Sequence, residues 1–240
     1  MAIERQTVTY DGPGGPFAGV AAWDVAVDGR RPGVLVIPNI LGQKEADNHV
    51  AERLAGLGYA ALACDLFGQG KRTERGRPDT SRYMDELNAD RGLLRDRLAA
   101  SLAALRALPV VDGERCAAIG FCFGGKAALD MARAGLAVRG VVSLHGLYDA
   151  PPYDDMTPIA TKILVCHGWE DRLAPPEAVV RLGQELTKAG ADWQLLAHGH
   201  AGHAFTDREL PKTPEGFGYD PNADRRSWEA VVRFLGEVLG

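Results

Sequence analysis

The amino-acid sequence predicts an α/β fold with a mostly parallel central sheet, helices on both faces and an antiparallel edge at the N-terminus. Compact apolar runs, beginning with residues 34–37, alternate with longer amphipathic stretches from about residue 33 onward. Continuous apolar runs of this length are typical of strands that are buried on both faces of a parallel sheet. Because strands and helices alternate, successive strands are expected to be joined by right-handed crossover helices.

The individual elements follow in chain order. The runs 7–10 and 19–25 flank a Gly- and Pro-rich turn at 11–16, which predicts an antiparallel pair at the sheet edge. Further strands are expected at 34–37, 60–64, 116–119, 141–144, 163–166 and 192–197. Amphipathic periodicity predicts helices at 48–57, 85–108, 126–134, 176–189 and 224–239. The sequence shows neither an internal repeat nor a linker, so residues 1–240 are interpreted as one domain.

The composition narrows the classes of function. Hydrophobic residues make up 46% of the 240 residues and charged residues 25%, as in globular proteins rather than disordered ones. The 27 Lys and Arg against 32 Asp and Glu give a net charge of −5, which argues against nucleic acid as a partner. Apolar runs are too short to span a bilayer, and the N-terminus lacks the apolar segment of a signal peptide. We therefore expect a cytoplasmic protein without a membrane partner, either a monomer or a small homo-oligomer.

A candidate nucleophile lies between a predicted strand and a predicted helix. The segment Gly120-Phe121-Cys122-Phe123-Gly124 has the G-x-nucleophile-x-G spacing of a nucleophile elbow, with cysteine in place of serine. Glycines two residues before and after the nucleophile allow the strand and the helix to approach closely. The helix N-terminus favours a thiolate and helps to bind an oxyanion. The alternative is that Cys122 is a packed core thiol, as Cys64, Cys116 and Cys166 are expected to be.

A cysteine nucleophile needs a base and a group that orients the base. His203, in the loop after the last predicted strand, fits the base. Asp171 follows the strand at 163–166 and is the preferred orienting carboxylate, with Glu170 as the second choice and Asp149 as a weaker one.

Other histidines receive structural interpretations. His198, His200 and His203 lie within six residues, which suggests a metal site as an alternative. No cysteine or carboxylate stands beside them at a convincing ligand spacing, so we predict no metal and no cofactor. His198 and His200 are interpreted as hydrogen-bonded loop residues or as pocket edges. His49 and His145 are expected to be ordinary structural residues.

Taken together, these motifs resemble the dienelactone hydrolases, a cysteine-nucleophile branch of the α/β-hydrolases, from about residue 31 to residue 239. The segments that carry the resemblance are 33–42, 58–68, 120–125, 167–172 and 201–205. The resemblance implies that Cys122 is the nucleophile, His203 the base and Asp171 its orienting residue. It also implies that the backbone N–H groups of Ile40 and Phe123 form the oxyanion hole.

The chain departs from the family pattern at two places. Asn39 stands where the family has a glutamate that helps to activate the thiol, so activation would depend more on His203 and the helix dipole. The family holds a substrate carboxylate with arginines. The one shortly after the base histidine is matched only by Arg208, displaced by one position, and the other is matched loosely by Arg82. Trp169 and Phe205 are further candidates for lining a pocket. The basic stretch 68–82 is either a solvated loop or a lid that faces an anionic ligand, and 211–221 is expected to be a surface loop or flap.

The predicted function is hydrolysis of an ester or lactone through a Cys-His-Asp triad and a thioester acyl-enzyme. Two alternatives keep the fold: a promiscuous hydrolase that uses the same triad on phosphoesters, phosphotriesters or thioesters, and a binding module without turnover. A redox protein that uses Cys122 is a further alternative. It is disfavoured because Cys64, Cys116 and Cys166 all fall in predicted strands and none is a plausible resolving thiol.

Overall fold

The computed structural model describes residues 2–152 and 158–240. In this part of the chain, eight strands belong to one sheet and are accompanied by six helices. The strands are β1 (Ile3–Tyr10), β2 (Phe17–Asp24), β3 (Arg31–Ile37), β4 (Ala60–Ala63), β5 (Val111–Phe121), β6 (Gly140–Leu144), β7 (Lys162–Gly168) and β8 (Trp193–His198). The helices are α1 (Glu45–Ala55), α2 (Arg82–Ala89), α3 (Arg91–Ala107), α4 (Phe123–Arg133), α5 (Pro176–Lys188) and α6 (Pro221–Leu239).

The strand pairing confirms the predicted fold class. The strands follow the order β1-β2-β4-β3-β5-β6-β7-β8 across the sheet. β1 pairs with β2 and β2 with β4 in antiparallel fashion, whereas the pairs β3–β4, β6–β7 and β7–β8 are parallel. The sheet is therefore mostly parallel with an antiparallel N-terminal edge.

Two compact units, residues 1–119 and residues 120–240, divide the chain at a boundary inside β5. In the first unit, α1 packs on β2, β3 and β4, and α3 packs on β1 and β3. In the second unit, α4 and α6 each pack on β6 and β7. The interpretation of residues 1–240 as one domain stays a prediction.

One predicted helix is wrong in its extent. The stretch 85–108 was expected to be continuous, but it forms α2 and α3, which meet at Asp90. The backbone of Asp90 is not helical (φ −126°, ψ 87°), and its side chain accepts a hydrogen bond from the N–H of Leu93 at 2.8 Å. An aspartate that caps a new helix in this way ends the preceding one.

Within residues 2–152 and 158–240, no helix combines the length and the apolar character that crossing a bilayer requires.

Candidate active site

The candidate site residues of the second unit each follow the end of a strand of the sheet. Cys122 comes directly after β5, Asp171 three residues after the end of β7 and His203 five residues after the end of β8. The strands β6, β7 and β8 are parallel neighbours, so the loops that follow them emerge at one edge. In open α/β sheets, ligands bind at this carboxyl edge.

The elbow at Cys122 has a left-handed backbone. Cys122 is half-buried, has φ 54° and ψ −115°, and immediately precedes α4. Its carbonyl oxygen accepts the N–H of Gly125 at 3.0 Å, which starts the helix. A Cβ atom on Gly120 would lie 1.9 Å from the carbonyl oxygen of Gly124, so only glycine fits there. Phe123 begins α4, where the helix dipole favours negative charge.

Asp171 and His203 form a buried pair. The Nδ1–H of His203 donates to Oδ2 of Asp171 at 2.7 Å, and both side chains are almost completely buried. The other carboxylate oxygen of Asp171 accepts the backbone N–H groups of Leu173 at 2.8 Å and Ala174 at 3.3 Å. These three donors hold the carboxylate in one orientation. The imidazole is thereby oriented so that its Nε2 lies on the side of the ring away from Asp171.

The backbone of His203 is clamped by the segment that was predicted to be a loop or flap. The N–H of His203 donates to the carbonyl of Gly216 at 2.7 Å, and the N–H of Gly218 donates to the carbonyl of His203 at 2.9 Å. The ring of Phe217 lies edge-on to the imidazole, with centroids 5.6 Å apart. A Cβ atom on Gly202 would approach the Gly216 carbonyl oxygen to 2.0 Å, which explains the glycine beside the histidine.

The protonation of His203 is strongly perturbed. Burial lowers the pKa of the imidazole, but hydrogen bonding to Asp171 and the interaction with the Cys122 thiol outweigh burial and raise the pKa to about 10. Among the described residues, the buried Nε2 atom has no hydrogen-bond partner in good geometry. Catalytic hydrogen bonds are often long or poorly aligned until substrate binds. This arrangement can support a thiolate beside an imidazolium.

His145 lies beside Cys122 and His203, a placement that the sequence interpretation did not predict. It directly follows β6, has a left-handed φ of 38° and is buried. Its Nδ1 accepts the backbone N–H of Cys122 at 3.1 Å, and its ring lies 5.4 Å from that of His203, edge to face. The only available signal was its position at a strand end, because the contacts depend on loops distant in the chain.

The alternative carboxylates have other partners. Glu170 is half-exposed and lies 3.2 Å from Nδ1 of His200, whereas Asp149 is exposed and pairs with Lys126 at 2.7 Å. His198 pairs with the hydroxyl of Ser227 at 2.8 Å. Thus the three neighbouring histidines have three different partners, and in residues 2–152 and 158–240 no group of three His, Cys, Asp or Glu side chains could hold a metal ion. The predicted independence from metals and cofactors stays a prediction.

The structure corrects the role expected for Phe205. Its ring has no exposed surface, so it does not line an open pocket. Instead, it packs edge-on against His145 and His198, with centroids 5.0 Å and 5.4 Å away. Trp169 is 43% exposed and remains a candidate for substrate contact. Arg208 lies 3.4 Å from Asp224 and over the ring of Tyr219, contacts that favour a structural role over substrate binding.

The candidates in the first unit lie in two segments. Asn39 begins a turn in which its Oδ1 accepts the N–H of Leu41 at 2.8 Å, leaving the amide NH₂ as its donor. The carbonyl of Ile40 accepts the hydroxyl of Thr73 at 3.2 Å, which fixes the same turn. Arg82 is exposed, and its guanidinium lies 5.3 Å from the ring centroid of Tyr83.

Within the basic stretch 68–82, one arginine is a structural residue. Arg72 pairs with the buried Asp65 at 3.1 Å and with the side-chain oxygen of Gln43 at 2.9 Å. It is therefore part of the scaffold of the first unit.

The fold, together with an elbow between β5 and α4, defines an α/β-hydrolase. More specifically, the chain belongs to the dienelactone hydrolase family, whose model matches residues 17–239. It is accordingly a carboxylic-ester hydrolase, and the resemblance inferred from its motifs is confirmed.

Individual relatives agree with this assignment. The crystal structure of a dienelactone hydrolase-like promiscuous phosphotriesterase from metagenomic libraries is 36% identical, with a TM-score of 0.94 and full coverage of both chains. An uncharacterized protein of Caenorhabditis elegans is 37% identical over 165 residues, which are 64% of this chain and 99% of the relative. A dienelactone hydrolase from Anabaena variabilis is 20% identical, with a TM-score of 0.72 and full coverage of both chains, and shows the shared fold.

Proposed function

We propose that the protein hydrolyses esters or lactones with Cys122 as nucleophile, His203 as base and Asp171 as the residue that orients the base. The observation that carries the proposal is the buried 2.7 Å bond between Asp171 and His203, combined with the raised pKa that His203 owes partly to Cys122. A thiolate beside an imidazolium is the reactive form of a cysteine nucleophile.

In the acylation step, the Sγ of Cys122 attacks the carbonyl carbon and the carbonyl π electrons move to oxygen. The helix N-terminus at Phe123 supports an oxyanion. The contribution of the Ile40 N–H, which the family resemblance implies, stays a prediction. When the intermediate collapses, the C–O bond to the alcohol breaks and His203 transfers its Nε2 proton to the leaving alkoxide. The acyl group then remains on Cys122 as a thioester.

In the deacylation step, neutral His203 takes a proton from water as the water oxygen attacks the thioester carbonyl. The carboxylic acid is released and gives its proton to bulk water, and the Cys122 thiolate re-forms beside protonated His203. Throughout the cycle, Asp171 accepts the Nδ1–H and thereby stabilises the imidazolium. No step of this cycle needs a cofactor.

The second candidate activity is hydrolysis of phosphotriesters by the same triad. It is favoured by the similarity to the promiscuous phosphotriesterase. The two chains are 36% identical and superimpose over their full lengths with a TM-score of 0.94. Asn39 adds support, because it replaces the acidic residue of the family pattern and so removes a negative charge that would oppose the charge developing on the phosphoryl oxygen as the neutral phosphotriester is attacked.

One substrate panel separates these functions. It contains p-nitrophenyl esters, a dienelactone, a thioester and an aryl phosphotriester, each tested with the wild type, Cys122→Ala and the control Cys116→Ala. Cys116 is a buried free thiol outside the candidate site. We expect ester hydrolysis to disappear in Cys122→Ala and to persist in the control, and acid quenching to trap the acyl mass on the peptide that contains Cys122. Undiminished turnover in Cys122→Ala would refute the triad, whereas a folded wild type inactive on every substrate would favour a binding module.

The proposed cellular setting is the cytoplasm. All four cysteines lie in the described residues and are free thiols, three of them buried, which suits a reducing compartment. A small-molecule ester or lactone is the expected partner.

A further inference from the structure

His145 bridges two parts of the candidate site. On one side, its Nδ1 accepts the backbone N–H of Cys122 at 3.1 Å, and on the other its Nε2 lies 2.8 Å from the hydroxyl of Thr206. Thr206 is three residues after His203 on the same loop. The imidazole therefore connects the backbone of the nucleophile with the loop that carries the base.

The two hydrogen bonds determine the tautomer of His145. A backbone N–H can only donate, so Nδ1 must carry a lone pair toward Cys122. The ring hydrogen is then assigned to Nε2, which donates to Oγ1 of Thr206. Burial first, and then the neighbouring His203, hold the pKa of His145 well below its ordinary value of 6.5, in agreement with a neutral ring. A second proton on the ring would place an N–H at Nδ1 opposite the backbone N–H of Cys122, and two donors cannot form a hydrogen bond with each other.

The backbone provides an independent observation. Among the described residues, the non-glycine residues with left-handed φ are Cys122 (54°), His145 (38°) and Ala204 (58°). The first is the candidate nucleophile, and the last is the neighbour of the candidate base. Backbone strain of this kind persists only where the surrounding structure enforces it, and it concentrates at functional sites. His145 shares this property with Cys122, at one end of its bridge, and with Ala204, in the loop that carries the other end.

We propose that His145 is a neutral positioning residue that, through its bond to Thr206, sets the distance and orientation of His203 relative to Cys122. The inference rests on the proposed function, because it assigns His145 a role in the reactivity of that same pair. The ring of Phe205, fully buried and 5.0 Å from His145, keeps the imidazole in place. The two ring nitrogens of His145 bond to the backbone of Cys122 and to Thr206, not to Sγ of Cys122 or Nε2 of His203.

Two substitutions at position 145 separate the ends of the bridge. His145→Asn keeps an acceptor at the place of Nδ1 and tolerates a left-handed φ, but it is too short to reach Thr206. His145→Gln keeps a donor near the place of Nε2 and removes the acceptor for the Cys122 N–H, which still bonds to the Leu144 carbonyl at 3.0 Å. Thr206→Val removes the hydroxyl from the far end, and Thr206→Ser retains it.

The readouts are kcat/KM for a p-nitrophenyl ester, the pH profile of Cys122 alkylation by iodoacetamide, and the Tm. We expect His145→Asn and Thr206→Val to lower kcat/KM by about 10–100-fold, as misplacement of a catalytic group does, and to shift the alkylation profile alike. The kcat/KM of the double variant His145→Asn/Thr206→Val should be no lower than that of either single variant, because both substitutions remove the same hydrogen bond. His145→Gln should lose less than His145→Asn, and Thr206→Ser should restore wild-type kinetics.

The outcomes distinguish this inference from the proposed function. A lower Tm with an unchanged alkylation profile and kcat/KM, or fully additive losses in the double variant, would overturn the positioning role. If His145→Asn does not fold, Thr206→Val and its serine counterpart decide the question alone. Persistence of ester hydrolysis in Cys122→Ala would instead overturn the proposed function.

Discussion

Asp171 and His203 are 32 residues apart in the chain, yet a buried hydrogen bond of 2.7 Å joins their side chains. The carboxylate accepts two backbone N–H groups from its own loop, and the imidazole is clamped by backbone bonds to Gly216 and Gly218. Both partners are thus fixed before any substrate arrives. Such preorganisation is what a general base needs in order to act without reorganising its surroundings.

Removal of the negative charge at position 171 should cost most of the activity. In Asp171→Asn, the amide NH₂ can face Nδ1 of His203, which drives the ring hydrogen to Nε2 and removes the acceptor for the thiol proton. We expect kcat to fall by about 10³–10⁴-fold with little change in fold. Glu170→Gln is the matched control, because Glu170 is half-exposed and pairs with His200. Equal rates for Asp171→Asn and the wild type would contradict the assigned role.

The raised pKa of His203 predicts how stability depends on pH. The folded protein holds a proton on His203 up to about pH 10, whereas the unfolded chain releases it near the ordinary value of 6.5. The stabilising contribution is therefore fully present below about pH 6.5 and is lost as the pH rises toward 10. Urea unfolding at pH 6, 8 and 10 should show the stability advantage of the wild type over His203→Gln shrinking with pH. An advantage that grows with pH would disprove the raised pKa.

The sequence predicted the element order and the candidate nucleophile because both depend on local patterns. Alternating apolar runs mark the strands, and the glycines around Cys122 mark a tight turn between a strand and a helix. The break at Asp90 was also encoded locally. Aspartate is a favoured residue at the N-cap of a helix, where its side chain accepts a backbone N–H three residues later, here that of Leu93.

The contacts of His145 and Phe205 were not predicted, for a different reason. The contacts of His145 depend on a left-handed φ and on Thr206, which is 61 residues away. Phe205 was expected to face substrate, but it is buried between two imidazoles that approach it from other loops. Contacts of this kind are made by the tertiary fold, and no periodicity or motif in a single sequence records them.

The elbow should not tolerate a methyl group at position 120. In Gly120→Ala, the new Cβ would lie 1.9 Å from the Gly124 carbonyl oxygen, so the turn must open. We expect a loss of about 1–3 kcal/mol or more in the free energy of unfolding, together with loss of esterase activity. In the control Gly236→Ala, on the exposed side of α6, the added methyl meets nothing within 4 Å. That variant should gain about 0.5–1 kcal/mol, because alanine favours the helix.

A buried charge network offers the sharpest test of how the second unit is held together. The Arg133 side chain has no exposed surface and binds Glu185 at 2.7 Å and Asp130 at 3.3 Å. It also donates to the carbonyl of Tyr148 at 3.1 Å, which ties α4 to α5 and to the loop after β6. Arg133→Met preserves much of the volume but removes the cation from two carboxylates, of which Asp130 is fully buried.

Breaking a buried ion pair from one side costs about 3–5 kcal/mol, so Arg133→Met should lower the free energy of unfolding by that amount. The control is Arg225→Met, which removes the exposed pair between Arg225 and Glu229 on α6 and should change stability by less than about 0.5 kcal/mol. Urea titration of both variants measures the difference. The double variant Arg133→Met/Glu185→Leu should recover part of the loss, because it removes one of the two carboxylates that Arg133→Met leaves without this cation. Equal stability of the two single variants would show that the network is energetically neutral.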